Sequence, residues 1–239
     1  MLLLALDSCD PRGSLALLRD TTVLHAEIHD TAEDYSAWIL PAAQRLLTTR
    51  RVSFQELSAY AVASGPGSFT GVRVGLTTVK AWSEVYGQPI AAVSRLEALA
   101  SYGASPAPFV AVFADAQRSQ IFGALYRRDA ENLQRIDAEM VISPEQFLDW
   151  VIAEVGGQRV QWISLDPKCV TATNQWASRL LLGETIRVVA PVLAPAIGRL
   201  GFRLARDGRL IDALSLDANY VRRSDAELFW KGASSGSRS

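Results

Sequence analysis

Ser64-Gly65-Pro66-Gly67-Ser68-Phe69-Thr70-Gly71-Val72-Arg73-Val74-Gly75-Leu76 decides how this chain is read, because four glycines leave bare backbone at a joint between two elements. Upstream, Tyr60-Ala61-Val62-Ala63 reads as an apolar strand. Downstream, Val72, Leu76, Val79 and Trp82 to Val85 recur at helical spacing until Gly87 ends the pattern. The joint therefore lies at a helix N-terminus, whose free N–H groups and positive dipole end suit a phosphate or carboxylate. Gly67, Gly71 and Gly75 are spaced by four, so they share one helix face and open a groove for a close helix crossing. An anion and a second helix are both open as guests, and a tight turn with close packing is a sufficient use of the glycines. The phosphate-loop pattern Gly-x4-Gly-Lys-Ser/Thr is absent, and Thr70 stands where a dinucleotide fingerprint needs its third glycine.

Working outward, Leu2 to Leu6, Ser14 to Leu18 and Val23 to Ile28 read as a strand meander broken by Asp10-Pro11-Arg12-Gly13 and Arg19-Asp20-Thr21. A helix follows from about Glu33 to Thr48, apolar at Trp38, Ile39, Ala42, Leu46 and Leu47, with Pro41 inside it. Ser53-x-x-Glu56 and Ser94-x-x-Glu97 are capping boxes on either side of the glycine joint, the second following a strand from Pro89 to Val93. A second half begins near Pro108, with strands at Phe109 to Ala114, Ile121 to Arg127, Val160 to Ser164 and Ile186 to Val189. Helices are expected from Ser143-Pro144 to about Glu154, near Gln175 to Leu182 and from Pro195 to Arg206. The fold class is α/β, with one lobe over 1–107 and a smaller one over 108–230. Residues 231–239 hold no hydrophobic side chain larger than alanine and read as a disordered tail.

Bulk properties narrow the function classes. Net charge is −1 with 24 basic and 25 acidic residues, so no overall field draws the chain to nucleic acid or to a membrane surface. Met1 to Leu6 lacks a basic leader and is cut short by Asp7, and no apolar run approaches the roughly 20 residues of a membrane span, so a cytoplasmic protein is expected. Two distant cysteines, Cys9 and Cys169, argue against a disulfide framework or a zinc site. His25 and His29 fall on a strand candidate about 13 Å apart, too far for one ion with bonds of about 2 Å. Of the six tryptophans, Trp38, Trp82, Trp150, Trp162 and Trp176 fall within expected elements and read as core or interface.

The run Ser64 to Leu76, together with Leu3-Ala5-Leu6-Asp7-Ser8, Ile39-Leu40-Pro41, Val93 to Leu99 and Ala218-Asn219-Tyr220-Val221-Arg222, resembles the bacterial TsaB (YeaZ) family of glycoprotease-like (M22) proteins. The resemblance is strong over 1–126 and thin thereafter. It implies an actin-like ATPase (ribonuclease-H-like) fold of two lobes with a vestigial nucleotide cleft. It further implies a non-catalytic dimerisation subunit that binds and activates a TsaD-like transferase, which forms N6-threonylcarbamoyladenosine at position 37 of ANN-decoding tRNAs. A TsaE-like ATPase would join the larger complex, tRNA would be engaged indirectly, and a homodimer is open to the chain when alone. No cofactor would be held by this chain alone, ATP and threonylcarbamoyl-adenylate being used by the complex. The expected partner interface is Ile39, Ala43, Leu47, Gly67, Ser68, Phe69, Thr70, Gly71, Val72, Gly75 and Leu76.

The resemblance also locates what is missing. TsaD carries a His-x-x-x-His metal pair on the helix after the glycine motif; here Arg95 and Leu99 stand at those places, and neither is a useful metal ligand. No catalytic or metal-binding residue is therefore expected. Asp7 and Ser8, at the end of the first strand, are where actin-fold enzymes keep a phosphate-site carboxylate. Asp7, Ser8, Asp10 and Asp115, with Gln120, are the candidate cleft remnants. Trp162 to Pro167 holds no glycine for a second phosphate hairpin. Tyr35-Ser36 departs from the His-Ser of many relatives, and Arg222 and Arg223 read as a solvated pair before an RNA contact. The rival reading is a self-sufficient actin-fold enzyme, either a phosphotransferase or a metallo-glycopeptidase.

Overall fold

Leucine and alanine alternate through the first strands, and that alternation sorts the first sheet into a thick and a thin face. A computed structural model describes residues 1–29, 33–104, 106–129 and 132–221; Arg222, Arg223 and the expected tail 231–239 lie outside them. The first half runs β1 (Leu2–Asp7), β2 (Ser14–Arg19), β3 (Thr22–Ile28), α1 (Tyr35–Thr49), a 3-10 turn at Phe54–Glu56, β4 (Ala59–Ala63), α2 (Phe69–Tyr86), β5 (Ile90–Val93) and α3 (Arg95–Ala100). Its five strands order as β3-β2-β1-β4-β5, the meander antiparallel and β4 and β5 parallel to β1. On one face the register aligns Leu17, Leu4, Tyr60 and Ile90, large residues covered by α1 and α2. On the other it aligns Ala26, Ala16, Ala5, Ala61 and Ala91, one alanine from each strand.

The second half repeats the plan. It comprises β6 (Phe109–Asp115), β7 (Ile121–Asp129), β8 (Asn132–Arg135), β9 (Met140–Ile142), α4 (Pro144–Val155), β10 (Val160–Ser164), α5 (Lys168–Thr171), α6 (Asn174–Leu181), β11 (Ile186–Val188) and α7 (Ala194–Arg206). Strand order β11-β10-β6-β7-β8 mirrors β5-β4-β1-β2-β3, with the same antiparallel and parallel pairings, and β9 adds to β7. This is the two-lobe, actin-like architecture that the resemblance implies. Ser143 caps α4 as its sequence indicates, its Oγ accepting from Gln146 N at 3.2 Å. The short strands β8 and β9 and the single turn α5 carry too little periodicity to be read in advance. Among the described residues no helix is long and apolar enough to cross a membrane.

One expectation for the second half fails. The sequence puts the α7 segment in the lobe over 108–230, yet α7 packs against β1, β2, β4 and β5 of the first sheet. The thin alanine face is the reason, since a helix can lie close only where both surfaces are small. A Cβ on Gly201 would come 2.6 Å from the Ala61 Cβ, and one on Gly198 would overlap the Leu18 side chain. Ser14 Oγ, on the same face, accepts from Ala194 N at 3.1 Å and anchors the helix start. Trp38, Trp82, Trp162 and Trp176 are buried, as their positions suggest, and Trp150 is half-buried.

Ala61→Leu should therefore overpack the α7 contact and lower stability by about 1–3 kcal/mol or more. Chemical denaturation checks this, and a midpoint equal to wild type would contradict the close α7 approach.

Candidate functional site

The glycine joint forms where β4 ends and α2 begins. Ser68 caps α2, accepting from Gly71 N at 3.4 Å, and Gly87 ends it with φ of 79°, the left-handed cap expected of glycine. The groove on the glycine face is filled from within. Ser68 N donates to Cys9 O at 2.8 Å, and Ser8 Oγ donates to Gly71 O at 2.7 Å. A Cβ on Gly67 would overlap the Cys9 carbonyl oxygen, one on Gly71 the Ser8 carbonyl oxygen, and one on Gly75 the Ser8 hydroxyl. The guest of the groove is thus the chain's own β1–β2 turn, neither an anion nor a crossing helix.

That placement corrects the expected partner surface. Gly71, Val72, Gly75 and Leu76 are buried inside the lobe, and so are Ile39, Ala43 and Leu47 of α1; Gly67 is half-buried. Ser68, Phe69 and Thr70 stay exposed. What α1 and α2 turn outward overlaps the expected set only at Phe69 and Thr70; it includes Ala37, Leu40, Pro41, Gln44, Arg45 and Thr48 from one helix and Arg73, Thr77, Ala81, Glu84 and Val85 from the other. Leu40 is 46% and Val85 71% exposed, so apolar side chains remain uncovered on this face. At its end the Arg73 guanidinium stacks 3.8 Å from the Phe69 ring centre, and Arg73 Nε donates to the Tyr220 hydroxyl at 2.9 Å.

Behind the turn lies a buried charge cluster. Asp7, Ser8 and Asp10 come together there with Arg95, which sequence reasoning had noted only as a lost ligand. Arg95 is 3% exposed; its Nε lies 3.3 Å from Asp7 Oδ2 and its Nη2 3.1 Å from Asp10 Oδ2. The second approach is an ion pair without hydrogen-bond alignment, which leaves that buried nitrogen without a directed acceptor. Burial is the largest single influence and opposes the Arg95 charge, but Asp7 and the other neighbours, Asp10 among them, together outweigh it and hold the guanidinium pKa above its ordinary value. Asp7 Oδ1 accepts from Cys9 N at 3.0 Å, and Arg95 N donates to Gly65 O at 2.7 Å, so the ion pair ties the turn to the glycine joint. Burial, then the Asp7 charge, pushes the Cys9 thiol well above its usual range; it is protonated at neutral pH and no nucleophile.

Tyr35 clamps the outer part of the turn by donating from its hydroxyl to Asp10 O. His29 stacks on the Tyr35 ring at 4.2 Å, with its ring nitrogens 2.9 Å from Pro11 O and 2.6 Å from Glu33 O. β3 ends at Ile28, so His29 is not on the strand with His25, contrary to expectation; His25 sits opposite Leu17. Among the described residues no group of three His, Cys, Asp or Glu side chains is arranged to hold a metal ion. The divalent ion of an actin-fold nucleotide site does not fit between Asp7 and Asp10, because the Arg95 guanidinium lies there.

Asp115 ends β6 as Asp7 ends β1, but it serves its own hairpin. Its carboxylate accepts from Gln117 N at 2.8 Å and from Gln117 Nε2 at 2.9 Å. Gln117, Arg118 and Ser119 all take left-handed backbone, φ 63°, 56° and 57°, in a turn without glycine, and Gln120 closes it through Ala116 N. The charge of Asp115 faces Cys169, whose thiol is raised by burial and then by that carboxylate.

A further pair escaped sequence reasoning. The Glu139 side chain, 2% exposed, accepts from Asn219 Nδ2 at 2.6 Å and from Ser94 Oγ, while Asn219 N donates to Ser64 O at 2.7 Å. Glu139 thereby joins the second lobe to the glycine joint. No motif surrounds it, whereas Asn219 lay within a stretch that carried the resemblance.

Comparison with known proteins places this geometry. The family model described as "TsaD: tRNA N6-adenosine threonylcarbamoyltransferase" matches residues 26–175. The "tRNA threonylcarbamoyladenosine biosynthesis protein TsaB" of Escherichia coli (strain K12) is 32% identical over 240 residues, covering 97% of each chain. Among solved structures, "YeaZ from Pseudomonas aeruginosa" superposes with a TM-score of 0.70 at 25% identity, covering 92% of this chain and 99% of that one. An activator of the 2-hydroxyisocaproyl-CoA dehydratase from Clostridium difficile, solved with bound ADPNP, reaches a TM-score of 0.52 at 9% identity over 87% of this chain and 97% of that one, a likeness of fold alone.

Gly71→Ala should destabilise the chain by about 1–3 kcal/mol, although alanine is the better helix former by about 1 kcal/mol. Gly75→Leu should act in the same direction and more strongly, as the larger side chain displaces Ser8. Thermal melts check both, and a rise in either midpoint would mean that the turn does not occupy the groove.

Proposed function

The chain belongs to the TsaB (YeaZ) family and takes part in tRNA threonylcarbamoyladenosine biosynthesis, and on that premise we propose that it is a non-catalytic subunit docking on a TsaD-like transferase through the outer face of α1 and α2. The observation that carries this reading is the filled joint. Ser8 and Cys9 carbonyls occupy the glycine groove and Arg95 occupies the carboxylate cluster, so the place where this fold would cradle phosphate is taken by the chain itself. The same filling argues against a self-sufficient phosphotransferase, and Arg95 and Leu99 in place of the histidine pair argue against a metallo-glycopeptidase.

The docking face follows from packing. Between Thr70 and Ala81 the exposed α2 positions are Thr70, Arg73, Thr77 and Ala81, and Leu40 and Pro41 are exposed on α1. Small and apolar groups there let another helical layer approach closely with little desolvation cost. The buried Ile39, Ala43, Leu47, Val72 and Leu76 shape that face from beneath, holding both helices on the sheet. A homodimer of the chain alone would use the same face and compete with the transferase for it. Cofactor use stays with the complex: ATP with a TsaE-like ATPase, threonylcarbamoyl-adenylate and tRNA with the transferase, in the cytoplasm.

Mixing the chain with the TsaD-like subunit should give a heterodimer by size exclusion with light scattering, and tRNA modification should need both proteins; separate elution would sink the proposal. Thr77→Glu alters a solvent-exposed position and should keep the melting midpoint within the small change usual for surface sites. Buried at the contact, its unpaired carboxylate should cost about 3 kcal/mol, or roughly a hundredfold in affinity. Wild-type affinity in a binding titration would move the interface off this face.

A further inference from the structure

We propose that Arg95 is the resident cation of the actin-like cleft, its guanidinium taking the position between Asp7 and Asp10 that a divalent ion would occupy, so that the cleft is satisfied without metal and closed to a metal-bound nucleotide. The geometry of these three side chains also underlies the non-catalytic reading, which this inference deepens, but it is independent of the docking face. Asp7 is fully buried and Asp10 sits at the solvent edge, its side chain 33% exposed. A buried carboxylate needs a counter-charge, and Arg95 is the one that the structure supplies. The guanidinium is imperfectly matched: one nitrogen lies within 3.1 Å of Asp10 yet has no aligned acceptor, as expected of a planar fork set between oxygens that do not form a bidentate pair with it.

Position on the chain explains how a side chain reaches this spot. Arg95 is the first residue of α3, at the end of β5, and its backbone N–H is spent on Gly65 O, which aims the side chain across the joint toward the end of β1. An oxygen-bound divalent ion needs ligands at about 2.0–2.6 Å, so it and the guanidinium cannot occupy the gap together. Arginine stays charged at every physiological pH, and unlike an ion it cannot dissociate. The tie between the β1–β2 turn and the glycine joint is therefore permanent. Removing the guanidinium leaves Asp7 buried with an unmet demand for a cation, beside Asp10 as a second oxygen donor.

Arg95→Ser tests the substitution directly. Freed of metal, this variant should melt below wild type. Millimolar Mn2+ or Mg2+ should then raise its midpoint by roughly 3 °C for each tenfold excess over the dissociation constant, while leaving wild type unmoved. The gain should vanish in Arg95→Ser combined with Asp7→Asn. If Arg95→Ser does not fold when metal-free, refolding with Mn2+ should recover it, and failure with and without Mn2+ overturns the proposal. So does a cation-independent midpoint in the folded variant, a cation response that survives Asp7→Asn, or stoichiometric Mg2+-ADP binding by wild type in a calorimetric titration.

Discussion

A carbonyl oxygen of Ser8 rests where the Cβ of residue 71 would be, and the rest of the first lobe is arranged around that contact. Backbone can meet helix this closely only if the helix has no side chains on the facing surface, hence glycine every fourth residue from Gly67 to Gly75. The turn so seated carries Asp7 into the interior. Asp7 in turn requires Arg95, and Arg95 fixes the entry to α3 through its backbone bond to Gly65. One steric allowance thus leads to a buried ion pair, and the ion pair ties three connections together.

Small residues play the same part on the opposite face of the sheet. The row of alanines from Ala26 to Ala91 admits α7 with its Gly198 and Gly201, so the C-terminal helix closes the N-terminal sheet. The chain then returns along the molecule to place Asn219 on Ser64 and on Glu139. Both lobes repeat one strand plan and exchange a helix: α7 packs on the first sheet, while α3 packs against β6, β7 and β10 of the second. The first half holds the glycine joint and the exposed helix pair, and Glu139 of the second half reaches the joint through Ser94 and Asn219.

The glycine groove and the carboxylate cluster are both occupied by the chain's own atoms, while the outside of α1 and α2 is left exposed. Thr77, Ala81 and Leu40 are exposed although the helices beneath them are packed with Ile39, Ala43 and Val72. Such a face stays rigid because its inner side is fully engaged. Rigid, small-residue surfaces are suited to docking another helical layer with little ordering cost.

Read alone, the sequence settled the elements: Ser94 and Ser143 as helix caps, Gly87 as a stop, the meander, the strand at Val160 to Ser164, and the passage from strand through glycine joint to helix at Ser64 to Leu76. Those signals are local, carried by side-chain period and by caps within a few residues of the backbone they satisfy. The resemblance grouped Asp7, Ser8 and Asp10 with Asp115 in one cleft; the first three share a turn, whereas the Asp115 carboxylate is engaged by Gln117 of its own hairpin. Only the tertiary structure decided what fills the groove, which sheet receives α7, and that Arg95 serves Asp7. Ser8 meets Gly71 across 63 residues and Arg95 meets Asp7 across 88. A glycine stripe records that something comes close but not what, because removing a side chain leaves the same mark for an ion, a partner helix or the chain's own turn. The choice among them is made by packing between segments distant in sequence, which no local pattern encodes.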